Sequence, residues 1–356
     1  VQPFTYAALP SRVLFGFGLL DKVADEVRNL GCGRALVLST PEQVATAEMV
    51  SEQLGTLSVG VFGEATMHTP IDVSERAVEV VRRRGADCTV AIGGGSTTGL
   101  GKAIALRTDL PQIVVPTTYA GSEATPILGE TQGGMKTTQR SLKVLPEVII
   151  YDVDLTLDLP AAMTATSGLN AIAHAAEALY TQDANPVISL IAEDGIRALS
   201  AALPVLHSSP RDREARSNAL YGAWACGLCL GAVGMALHHK LCHTLGGSFD
   251  LPHAPTHSVI LPYAVAYNAP SAPEAMARMA RALGAKDAAQ GLYDLARRIG
   301  APASLEAIGL KRTDLDRAAD LATANPYWNP KPITRAGIRE LLEFAFTGQP
   351  PEPRHA

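Results

Sequence analysis

The pattern of this 356-residue chain changes near residue 158, and that change constrains its fold more than any single motif. Before it, short branched-apolar runs at 34–39, 88–92, 112–115 and 148–151 alternate with amphipathic stretches such as 20–30 and 74–84. Short buried strands separated by helices read as βαβ units, hence a parallel sheet covered on both faces. After Leu159 and Pro160 the runs cease. Helical periodicity then predicts helices over 161–180, 187–203, 212–245, 274–283, 287–299, 315–322 and 334–346. The expectation is an α/β N-terminal domain with a Rossmann-like parallel sheet over residues 1–157, and an all-α C-terminal domain over 158–356. The proline-rich end, 349–356, reads as an unpacked tail.

Composition excludes several function classes. Charged residues make up 18% and the formal net charge is -5, so an anionic polymer or lipid surface finds little to bind. The longest basic run, Arg82-Arg83-Arg84, closes a helical pattern and reads as a solvated helix end. Five cysteines at 32, 88, 226, 229 and 242 are odd in number and scattered, which argues for a reducing, cytoplasmic compartment. Cys226 and Cys229 form a lone CxxC within small apolar residues and read as core thiols. Residues 1–12 carry no basic stretch followed by an apolar run, so no secretory signal is expected. The stretch 219–237 is uncharged for 19 residues, near the length of a membrane span. Four glycines interrupt it (222, 227, 231, 234), and a buried helix with close neighbours is the better reading.

Chemistry enters at two loops. The run 88–92 leads into Gly93-Gly94-Gly95-Ser96 and then a helix pattern. Glycines there permit close approach of backbone to ligand, and the helix start offers free N–H groups to a pyrophosphate. The run 112–115 leads into Pro116-Thr117-Thr118-Tyr119-Ala120-Gly121-Ser122-Glu123, dense in hydroxyls. Both loops belong on one sheet rim, where α/β folds bind ligands. Ser39 ends the run 34–39 with no acidic residue after it, which predicts weak discrimination between NADH and NADPH.

A second constellation is built of imidazoles. Five of the nine histidines lie between 238 and 257. His239 and His243 share one helix face, as do Asn170 and His174, while His253 follows Pro252 in an expected loop. His238 and His257 read as core residues. The candidate donors around this point are all neutral, which suits proton transfer and hydrogen bonding better than a dication.

These segments resemble the iron-containing alcohol dehydrogenase family, and within it the maleylacetate reductase branch. The likeness is carried by 4–16, GGGSTTGLGKA (93–103), PTTYAGSE (116–123), SGLNAIAHAAEALY (167–180), LHHKLCHTLGG (237–247) and NPYWNPKP (325–332). It implies a dehydroquinate-synthase-like fold with NADH or NADPH held between the domains. The family's metal ligands, an aspartate and three histidines, correspond to Asn170, His174, His239 and His253, and its proton-relay histidine to His243. Gly94, Gly95, Ser96, Thr117 and Thr118 correspond to cofactor-contacting loops, and Lys136 to a lysine near the nicotinamide ribose. Two positions depart from the family: Asn170 replaces the ligand aspartate, and Gly99 replaces an aspartate after the glycine loop. With Asn170, no metal is expected. The branch implies a dicarboxylate substrate whose C=C bond is reduced, as in the breakdown of aromatic compounds. His243 is then the acid, with His174, His239, His253 and Asn170 as donors. Lys240, Lys143 and Arg140 are candidates for the substrate carboxylates, and a homodimer is expected. The alternatives are a metal-dependent alcohol dehydrogenase acting on C=O and a non-catalytic nucleotide sensor.

Overall fold

The computed structural model describes residues 3–133 and 135–351; the side chains of 134–136 lie outside it. The chain divides into two compact units. One is Ala8–Leu159; the other runs from Pro160 onward and includes the residues before Ala8.

The first unit carries, in chain order, β1 (Arg12–Gly16), α1 (Val23–Asn29), β2 (Ala35–Leu38), α2 (Val44–Leu54), β3 (Ser58–Phe62) and α3 (Ile71–Arg84). It continues with β4 (Cys88–Gly93), α4 (Gly95–Thr108), β5 (Gln112–Pro116), β6 (Ile127–Gln132), β7 (Met135–Arg140) and β8 (Val148–Asp152). Six strands form one parallel sheet in the order β1-β8-β5-β4-β2-β3, and β6 and β7 form a separate antiparallel hairpin. Side-chain alternation divides the strands between two cores. Ala35, Val37, Val90, Ile92, Ile113 and Val115 pack with Val27, Ala47 and Val50 on one face. Leu36, Leu38, Ala91 and Val114 pack with Val73, Val81, Leu100 and Ile104 on the other. Each large aliphatic side chain so buried contributes roughly 1.5–3 kcal/mol. The four branched-apolar runs are the four inner strands. β1 and β3, absent from the expectation, are edge strands with partly exposed residues, so they carry no continuous apolar run.

The second unit holds α5 (Ala161–Ala178), α6 (Pro186–Ser208), α7 (Arg213–Ala232), α8 (Leu237–Phe249), α9 (His253–Asn268), α10 (Pro273–Leu283), α11 (Ala288–Arg298), α12 (Leu315–Ala324) and α13 (Arg335–Thr347). From Thr164 to Ala178 every residue of α5 is buried, and its many Ala and Gly residues let neighbours come close. A Cβ at Gly222 of α7 would sit 3.0 Å from the Gly195 carbonyl of α6, so only glycine permits that approach.

Three expectations need correction. The single helix over 212–245 is two helices bent by 94°, broken between Ala232 and Leu237. Val233 is extended, and the amides freed at the break are claimed by acids: Gly234 N–H donates to Asp183 and Ala236 N–H to Glu177. His253 is not in a loop but is the first residue of α9, which runs through Pro262. The tail is held at its start, where Tyr263 Oη donates to the Gln349 carbonyl at 2.9 Å and Pro351 is buried. Residues 352–356 lie outside the described residues. Among the described residues no single helix is long and apolar enough to cross a membrane; α7 and α8 pass only as a bent pair.

Candidate functional site

In the first unit the glycine loop and the hydroxyl loop do lie side by side. Gly93 pairs with Pro116 in the sheet, and Thr117 N–H donates to the Gly93 carbonyl at 3.0 Å. The strand order reverses between β2 and β4, the place where such sheets bind ligands. Gly93 has φ 150°, which an L side chain rarely adopts. Gly94 caps α4, whose first turn starts at Gly95 and Ser96 with unpaired N–H groups. A Cβ at Gly94 would come within 3.0 Å of the Thr118 methyl. Three buried hydroxyls at this rim, Ser39 Oγ, Thr97 Oγ1 and Ser122 Oγ, have no hydrogen-bond partner.

One rim residue escaped sequence reasoning. Gln43 Nε2 donates to Thr117 Oγ1 at 3.1 Å, holding the hydroxyl loop. At Gly99 a Cβ would collide with Thr69 Oγ1, so the family's aspartate could not stand here unless Thr69 moved. Lys136 lies on β7 opposite Thr131, and its side chain falls outside the described residues. Lys143 is paired with Asp109 at 3.2 Å.

In the second unit six imidazoles gather. Ring centroids are 5.1 Å apart for His174–His239, 6.1 Å for His239–His243, 5.1 Å for His239–His257, 4.9 Å for His238–His257 and 4.3 Å for His253–His257. His174 and His239 are buried, His243 is half-buried and His253 is exposed.

The residue that organises them, Glu177, was not anticipated. Its fully buried carboxylate accepts from Ala236 N–H (2.8 Å), His238 N–H (2.7 Å) and His239 N–H (3.4 Å) at the start of α8. It also accepts from His239 Nδ1 at 2.7 Å. Because a carboxylate only accepts, the proton of His239 lies on Nδ1. His239 Nε2 then accepts from His174 Nδ1 at 2.9 Å, and His174 Nε2 faces Asn170 Nδ2 at 3.5 Å. A directed chain runs from Asn170 to Glu177, and His174 and His239 are bonded to each other rather than arrayed as separate donors. The signal was present: 170, 174 and 177 share one face of α5. His243 Nδ1 is 3.2 Å from Tyr327 Oη.

His238 and His257, read as core residues, are fully buried and share a hydrogen bond of 3.0 Å. Burial, then the neighbouring imidazoles, lowers both pKa values well below 6.5. Cys242 Sγ lies 3.6 Å from His238 Nε2, and burial raises its thiol pKa well above the usual value.

A parallel sheet with a glycine rim, in a chain whose helical unit collects imidazoles, defines a dinucleotide-dependent class of oxidoreductase. The family models agree: iron-containing alcohol dehydrogenase over residues 10–153, and Fe-containing alcohol dehydrogenase family, C-terminal, over 164–346. The chain belongs to the iron-containing alcohol dehydrogenase family and has its dehydroquinate-synthase-like fold. It is 60% identical to a maleylacetate reductase of Rhizobium sp. (strain MTP-10005), covering 99% of this chain and 100% of that one. It is 59% identical to a maleylacetate reductase of Burkholderia cepacia, with 99% and 100% covered. The crystal structure of maleylacetate reductase from Agrobacterium tumefaciens matches with a TM-score of 0.96 at 60% identity, over 99% of this chain and 100% of that one.

The family name implies iron. Asn170, His174, His239 and His253 stand where the resemblance puts the ligands, with an amide at 170 where the family has a carboxylate. Asn170 Oδ1 is buried with no partner, an amide oxygen where a carboxylate would offset a dication's charge. His239 Nε2 lies 2.9 Å from His174 Nδ1, and the neighbouring carboxylate of Glu177 is bonded to the start of α8.

Proposed function

We propose that this chain reduces the C=C bond of maleylacetate to 3-oxoadipate with NADH or NADPH, and that it does so without a metal ion. The observation that carries this reading is the neutral His174–His239 pair anchored on Glu177, with Asn170 in place of an acidic ligand. It stands in a chain 60% identical to a maleylacetate reductase. The glycine rim suits the dinucleotide: its α4 amides face a pyrophosphate, and Thr117, Thr118 and the unpartnered hydroxyls offer bonds along it. When bound, the dinucleotide supplies hydride to the alkene carbon β to the ketone.

The protein's part is to handle the charge and the proton. Negative charge develops on the ketone oxygen as the enolate forms, and fixed donors lower that barrier by roughly several kcal/mol. His253 and the Asn170 amide are those donors. His174 and His239, tied through each other to Glu177, present a fixed imidazole edge. His243, oriented by Tyr327, gives its proton to the carbon α to the ketone, which completes the saturated dicarboxylate. Lys240, whose Nζ lies 5.8 Å from the Tyr327 ring centroid, is placed beside His243 to attract a substrate carboxylate.

The test is cofactor consumption with maleylacetate, using NADH and NADPH, before and after exhaustive chelation. Turnover that survives chelation is expected. No turnover sinks the substrate assignment, and turnover lost on chelation favours a metal-dependent dehydrogenase.

A further inference from the structure

Lys102 lies two turns into α4 and is 1% exposed. Its Nζ reaches four oxygens: Ser122 O at 2.6 Å, Thr125 O at 2.7 Å, Thr125 Oγ1 at 2.9 Å and Ile127 O at 2.9 Å. An ammonium has three hydrogens, so these acceptors share them in a closed cage. All four belong to the stretch that follows β5. Ser122 and Thr125 end the hydroxyl loop, and Ile127 begins the β6–β7 hairpin that carries Lys136.

This cage sits behind the rim. The same loop places Thr118 against Gly94 and lays Ala120 and Ser122 within 3.9 Å of where a Gly95 Cβ would stand. Thr118 sits so close to Gly94 that a Cβ there would be crowded, and Gln43 holds Thr117 Oγ1, so the position of this loop sets the shape of the rim. Ser122 itself joins the two ends, its carbonyl on Lys102 and its hydroxyl buried without a partner. Burial of Lys102 lowers its pKa to about 7, opposed by the charge of Glu123, which accepts from Tyr151 Oη. A merely apolar anchor would spare that desolvation, so the charge is there to hold carbonyls in a defined geometry.

We propose that Lys102 is the positioning residue of the dinucleotide rim: by gathering the Ser122, Thr125 and Ile127 carbonyls against α4, it sets the loop 116–126 in the shape that receives the cofactor. This rests on the reading that the rim binds NAD(P)H. Lys102 touches neither the cofactor nor the reacting atoms, so its loss is felt in cofactor affinity and not in the chemical step.

The experiment measures the NADH Kd by fluorescence titration, and kcat at saturating NADH, for wild type, Lys102→Met, Lys102→Ala and Thr125→Val. Lys102→Met is expected to raise the Kd about tenfold or more, the weight of a charge-assisted bond network, with kcat within about threefold of wild type. Lys102→Ala is expected to regain affinity when methylammonium is added, because the oxygen cage remains. Thr125→Val, which removes one acceptor and keeps the ammonium, is expected to raise the Kd by roughly two- to threefold. A folded Lys102→Met whose Kd matches wild type overturns the proposal, as does a kcat that falls as far as the Kd rises. Should Lys102→Met fail to fold, an unchanged Kd in Thr125→Val overturns it. Wild type that binds no NADH removes the rim reading itself.

Discussion

Lys102 in the first unit and Glu177 in the second are buried charges of opposite sign, each gathering backbone groups around it. Lys102 collects carbonyl oxygens from the loop after β5; Glu177 collects amide hydrogens from the start of α8. The sign follows from which backbone atoms are left over. A loop folded back on a helix offers carbonyls, while a helix start offers N–H groups and the positive end of its dipole. The two differ in what lies next. Glu177 bonds directly to an imidazole, His239, whereas Lys102 bonds to the loop after β5, through three carbonyls and the Thr125 hydroxyl. On the proposed function, loss of the first should be felt in the chemical step and loss of the second in binding.

The largest break in that comparison is Glu177→Gln. An amide can donate to His239 Nδ1, which moves the imidazole proton to Nε2 and reverses the chain to His174. We expect kcat to fall about 100-fold, within the range of general acid–base effects, while the NADH Kd stays within about twofold. Steady-state rates and fluorescence titration on one preparation check this, and a Kd that rises with the loss of kcat would erase the distinction between the two charges. His243→Ala should lower kcat by about tenfold, the low side of general-acid catalysis, again with cofactor affinity kept. Unchanged turnover would remove His243 from proton transfer. Lys102→Met is the mirror image, as set out above. A subtler probe is Asn170→Asp, which restores an acidic donor beside His174 and His239. After loading with Fe(II) or Zn(II) and dialysis, it should retain about one metal per chain by elemental analysis, where wild type retains none. Equal retention would mean that residue 170 does not decide the metal. The smallest effect is expected for chelation of wild type, with kcat within about twofold of the untreated protein.

What could be read from the residues depended on how many neighbours each segment has. The inner strands β2, β4, β5 and β8 are covered on both faces, so their apolar runs were legible. β1 and β3 lie at the edges with mixed exposure, and they were not. The helix expected over 212–245 met all rules of periodicity, yet Asp183 and Glu177 draw off the amides between Ala232 and Leu237 and let it bend. His239, His174 and Asn170 were candidates from spacing alone. Glu177 was passed over because a carboxylate on a helix is ordinarily solvated; its burial, its three amides and its bond to His239 mark it out. Gln43 likewise lies far from Thr117 in sequence, with no motif to join them.

Local order was decided by the residues themselves: where backbone can hydrogen-bond to its own near neighbours, propensity and periodicity suffice. That covers most of the helices and the glycine start of α4; the inner strands pair with distant segments and were legible instead because burial on both faces leaves a continuous apolar run. The tertiary structure decided which residues would satisfy the leftover backbone groups, because those bonds join segments tens of residues apart. Glu177 reaching α8 and Lys102 reaching the loop after β5 are both of that kind.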